Sequence, residues 1–162
     1  MTNMRRGFTM IELIFVIVII GILAAVAIPK LAANRDDATA STCVSEIGTL
    51  VSTLGAAYTK NGYTDFQNLT IDEITNSSTG VTTGTGIKEA SGDNVVSGIT
   101  YICEGGDVAK LTFAKNGTDA SIYEMTLTDD NPTTPPAAAI AAKTIRKNFN
   151  IASAGGTKVF KL

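Results

Sequence analysis

From Leu13 to Ile28 the chain reads LIFVIVIIGILAAVAI, sixteen residues without a polar side chain, and only Glu12 separates this run from Phe8-Thr9-Met10-Ile11. At about 1.5 Å per residue, a helix from Phe8 to Ile28 is roughly 30 Å long, the thickness of a bilayer's hydrocarbon core. Beyond Pro29 the pattern becomes amphipathic. Cys43, Ile47, Leu50, Leu54 and Ala57, with Val44, Val51 and Tyr58 alongside, recur at three- and four-residue spacing, while Asp36, Asp37, Glu46 and Lys60 fall mostly on other faces. Asn61-Gly62 supplies a stop signal. The pattern predicts one helix from Phe8 to Lys60, about 80 Å long, with a membrane-spanning first half and a second half offering one stripe to a core.

Downstream, Thr70-Ile71-Asp72-Glu73 has the capping-box pattern that opens a short helix, and the Ser, Thr and Gly run from Asn76 to Gly86 reads as an exposed loop. Three strands follow at Gly98 to Glu104, Val108 to Lys115 and Ser121 to Thr128. Glu104-Gly105-Gly106-Asp107 and Asn116-Gly117-Thr118-Asp119 have the chemistry of hairpin turns between them. A three-stranded antiparallel meander has its apolar face in Ile99, Tyr101 and Cys103, Ala109, Leu111 and Phe113, and Tyr123, Met125 and Leu127. The segment from Asp129 through Pro132, Pro135 and Pro136 breaks the sheet. Ala137 to Ala142 favours a helical turn or two, and Lys158 to Leu162 an added edge strand. The fold class is α+β, a long N-terminal helix packed on a small antiparallel sheet.

Composition narrows the function. The 162 residues carry a formal charge of −2, too little basic excess for broad nucleic-acid binding. There is no His, and two Cys alone make no thiolate zinc site, so neither metal nor cofactor is expected and catalysis lacks its usual groups. Asp129, Asp130 and Asn131 lack the spacing of a calcium loop. Lys143, Arg146 and Lys147 read as a solvated helix face, and the Asn-x-Ser/Thr triplets at Asn68, Asn76 and Asn116 carry little weight in so Thr-rich a chain.

The apolar segment itself admits three readings. Arg5 and Arg6 before it, with Lys30 the first basic residue after it, place the N-terminus in the cytoplasm and the bulk of the chain outside. An ordinary signal peptide would be cut near Ala25-Val26-Ala27, giving a secreted binding domain; a plain anchor would leave Glu12 without a role. A carboxylate in an apolar helix costs a few kcal/mol unless paired or protonated, which marks Glu12 as a functional candidate, with chance placement near the interface the alternative. Oxidising surroundings and an even cysteine count make Cys43 and Cys103, both on core faces, candidates for a disulfide; two buried free thiols are the alternative.

The third reading comes from Arg5-Arg6-Gly7-Phe8-Thr9-Met10-Ile11-Glu12-Leu13 and the apolar run with Gly21 and Pro29. This resembles the N-terminus of a type IV pilin or a type II secretion pseudopilin. The resemblance implies a leader, residues 1–7, cut after Gly7 by a prepilin peptidase, and methylation of the new amino terminus on Phe8. Residues 8–29 would be retained as the transmembrane and filament-core helix, and 30–162 would form a pilin-like extracytoplasmic domain, a ladle in shape. Implied partners are copies of itself and related pilins, the prepilin peptidase/methyltransferase and an inner-membrane assembly platform. The protein would sit in the bacterial inner membrane before assembly, then in a surface pilus or periplasmic pseudopilus. Glu12 would set register by pairing with the Phe8 ammonium of a neighbour, and Gly21 and Pro29 would bound a weakened stretch of helix.

Overall fold

A computed structural model describes residues 7–75, 84–89, 94–119 and 123–162. It divides into two compact units, Met1–Arg35 and Asp36–Leu162. Helix α1, Met10–Phe66, belongs to the first unit up to Arg35 and to the second from Asp36. Its backbone angles are helical through Gly21 and Pro29 and depart only at Gly62, where φ is 70° and ψ 179°. The expected stop at Asn61-Gly62 is therefore a kink, after which one more turn reaches Phe66. The reason is burial: Phe66 is fully enclosed, edge-on to Tyr58 at 5.3 Å and to Phe113 at 5.7 Å, and aromatic burial outweighs the glycine break.

Within the second unit, Ala40, Cys43, Ile47, Leu50 and Leu54 form the buried stripe of α1, at the spacing the sequence pattern predicts. Helix α2, Ile71–Thr75, opens on the expected box: Thr70 N and Oγ1 donate to Glu73 Oε2, and Glu73 N donates back to Thr70 Oγ1 at 3.3 Å. Those bonds hold the Glu73 carboxyl below its ordinary range.

The sheet has five strands, not three and an edge: β1 Gly86–Glu89, β2 Ile99–Cys103, β3 Gly106–Lys115, β4 Tyr123–Asp129 and β5 Thr157–Lys161. They lie in sequence order and pair antiparallel throughout. The end of the expected loop is thus a strand, because β1 finds ladder partners on β2 and buries Ile87; positions 76–83 of that loop lie outside the described residues. The first hairpin turn is tighter than expected, Glu104-Gly105 alone, and a bulge leaves Val108 without a partner on β2.

Helix α3, Pro136–Phe149, is far longer than the turn or two expected from its alanines. Ala137, Ala138, Ala141, Ala142 and Ile145 are fully buried, so α3 covers the sheet with a stripe of small side chains. Its N-terminal end lies so close to β3 that a Cβ on Gly106 would come within 2.8 Å of Ala138 Cβ and Pro135 Cδ. The core therefore sits between one face of the sheet and two helices, α3 and the second half of α1.

Candidate assembly site

Two arrangements carry the candidate residues, one in each unit. In the first, Thr9 caps α1: its N–H and Oγ1 donate to Glu12 Oε2 at 2.8 and 2.7 Å, and Glu12 N donates to Thr9 Oγ1 at 3.3 Å. This second capping box was legible as Thr9-x-x-Glu12 and is absent from the sequence reading, which gave Glu12 no partner inside its own chain. The box fixes the carboxylate within a turn of Phe8.

Around it the apolar side chains are bare. Phe8 is 85% exposed, Ile11 76% and Leu31 66%, and no large hydrophobic between Phe8 and Leu31 is buried. At roughly 25 cal/mol per Å² of apolar surface, such a stretch demands a cover of lipid or other helices. By length and composition the helix can cross a membrane. A Cβ on Gly7 or Gly21 meets nothing within 4 Å, so nothing inside the described chain requires glycine at either position.

In the second unit Cys43 of α1 is joined to Cys103 of β2, with Cα atoms 6.1 Å apart. One helical turn further, the buried Tyr101 hydroxyl donates to Glu46 Oε2. Burial first, then the hydrogen bond and charge of Glu46, push the Tyr101 phenol well above its ordinary 10.0. An unfolded tyrosine ionises near that ordinary value, so this stabilisation is complete below it and declines as pH rises from there toward the folded value. Tyr101→Phe is expected to flatten the alkaline limb of the stability curve above about pH 10. Urea unfolding of the two proteins across that window checks it, and parallel losses would assign the limb to another group.

The proline segment after β4 hides a further connection. Asp129, offered by the sequence only as a loose calcium candidate, is fully buried and lies 3.3 Å from Arg146 Nε. It also accepts from the N–H groups of Asn131 at 3.1 Å and Gly155 at 3.2 Å. Arg146 is thus no part of a solvated basic face, whereas Lys143 and Lys147 are exposed. Asn116 is half-buried and its side-chain NH₂ donates to Glu124 at 2.6 Å, closing the second hairpin from within.

Comparison with known proteins bears on the first unit most directly. The prokaryotic N-terminal methylation motif matches residues 2–28. Type II secretion system core protein G of Escherichia coli (strain K12) is 43% identical over 53 residues, 33% of this chain and 37% of that protein. The protein of the same name from Klebsiella michiganensis is 48% identical over 50 residues, 31% and 35% of the two chains. That of Dickeya chrysanthemi is 43% identical over 54 residues, 33% and 35%. The chain spans about a third of the length of these curated relatives. No solved structure matches it.

A bare apolar helix start bearing this motif, followed by a helix packed on an antiparallel sheet, defines a pilin-like protein. Its N-terminal segment carries the prokaryotic N-terminal methylation motif and is similar to part of the type II secretion system core protein G of other bacteria.

Proposed function

We propose that this chain is a structural, non-enzymatic subunit of a type IV pilus or related filament. The carrying observation is the uncovered apolar surface from Phe8 to Ile28 within a matched methylation motif. In this reading residues 1–7 are a leader cut after Gly7, and the glycine that nothing in its own chain requires is read by the prepilin peptidase. Phe8 becomes the methylated amino terminus. The helix of residues 8–29 holds the subunit in the inner membrane and then joins the helices of other copies in the filament core. Residues 30–162 stay outside the membrane. Gly21 and Pro29 weaken the helix between them, since glycine costs about 1 kcal/mol against alanine and proline has no N–H to donate.

Glu12 sets the register. Apolar helices slide past one another at little cost, whereas a carboxylate away from water must stay near a donor. Thr9 supplies one within the chain, and the Phe8 ammonium of a neighbour supplies the charge. Glu12→Ala is expected to leave export, leader removal and the outer unit intact while abolishing most filaments, counted by electron microscopy. Normal filament numbers would refute the register argument.

Mass spectrometry of the mature protein tests the reading as a whole. A methylated start at Phe8 is the expected result, and a start at Ile28 would mean ordinary signal peptidase and a secreted domain. A second reading, the pseudopilus of a type II secretion system, is favoured by the names of the curated relatives. Removing the gene would then block release of secreted proteins and leave surface filaments unchanged.

A further inference from the structure

Between α1 and β1 lies a cavity of about 410 Å³ lined by Glu46, Thr49, Thr53, Thr85 and Tyr101, among others. Three of its hydroxyls have their protons already engaged. Thr49 Oγ1 donates to Ser45 O at 3.1 Å, Thr53 Oγ1 to Thr49 O at 2.8 Å, and Tyr101 OH to Glu46. Thr85 Oγ1 accepts from Glu104 N at 3.2 Å. With those protons engaged, the oxygens of Thr49, Thr53 and Tyr101 face an occupant as acceptors, beside one exposed carboxylate. Acceptors set around an anion select a cation with N–H donors, an ammonium or a guanidinium.

Among the described residues no cation fills it. Among the described residues no Lys or Arg pairs with Glu46, and positions 76–83, 90–93 and 120–122 contain neither residue type. The exposed Lys143 and Lys147 stand one turn apart on α3, with Arg146 between them held by Asp129. The end of α3 that carries them packs toward β5, where Phe149 meets Phe160 at 6.1 Å. The cavity lies at β1, the opposite edge of the sheet, about 19 Å away at ordinary strand spacing.

We propose that the cavity beside Glu46 receives Lys143 and Lys147 of a second copy. Donor and acceptor patches on opposite edges of one subunit make a head-to-tail contact, which repeats without closing and so suits a filament. The inference rests on the filament reading above and adds a contact between the outer units. Charge complementarity orients the next subunit before the apolar helices lock.

The test begins with wild-type filaments sheared from cells and treated with a water-soluble carbodiimide, which joins a carboxylate to an ammonium only where they touch. Peptides from the dimer band should contain Glu46 coupled to Lys143 or Lys147. Coupling of Glu46 to other lysines alone, or to none, would overturn the pairing while leaving the filament reading intact. A wild type that makes no filament overturns both. As a second arm, Glu46→Gln should weaken assembly about threefold, the size of one exposed ion pair. Glu46→Lys combined with Lys143→Glu and Lys147→Glu should restore assembly relative to either change alone. If the combination is as poor as the sum of its parts, the two patches do not meet.

Discussion

Arg146→Met is expected to destabilise the outer unit by about 3 kcal/mol, the cost of stranding a buried carboxylate. Asp129 has no exposed surface, and Arg146 is its one cationic partner among the described residues; the side chain of Arg146 itself is only 19% exposed. The pair also joins four pieces of chain, since Asp129 closes β4, binds the turn at Asn131, meets the last turns of α3 and holds Gly155 before β5. Adding Asp129→Asn to Arg146→Met should recover part of the loss, because the amide oxygen still accepts a backbone N–H and no charge is left behind. Urea unfolding of the full chain in detergent measures both. A single variant within about 0.5 kcal/mol of wild type would show that water replaces the guanidinium at no cost.

Replacing Cys43 and Cys103 together by Ala should cost about 4 kcal/mol, from the 60-residue separation the bond closes in the unfolded chain. For a small unit that is a large share of total stability. The change should appear as a marked fall in melting temperature that reductant reproduces in the wild type and leaves unaltered in the variant. Alkylation of the denatured, unreduced protein supplies the control: two modified thiols would rule the bridge out.

What the sequence made legible was whatever repeats at a short, regular interval. The apolar run, the stripe from Cys43 to Leu54 and the alternating faces of β2, β3 and β4 each announce themselves within a dozen residues. β1 did not, because four residues of Gly-Ile-Lys-Glu in a run of Ser, Thr and Gly become a strand only through their partners on β2. The stripe of α3 was present as Ala137, Ala138, Ala141, Ala142 and Ile145, yet alanine says little about burial and the neighbouring lysines drew the reading toward a solvated patch. The role of Asp129 was not legible for a different reason. Its partners lie 17 and 26 positions away, so no local pattern tells a ligand-seeking carboxylate from one already held. The cavity at Glu46 is likewise a product of packing between distant segments.

The order of the strands also bears on how the chain finds its fold. Each strand from β2 to β4 pairs with the one before it across a short connection, which costs little chain entropy, while β5 returns to β4 across the longer segment that holds α3. The long-range step is the meeting of α1 with that sheet. Cys103 is presented by β2 while Cys43 waits on a helix sixty residues upstream. Closing that separation costs the unfolded chain more entropy than any strand pairing within the sheet, and the bond between Cys43 and Cys103 removes this cost from the folding balance.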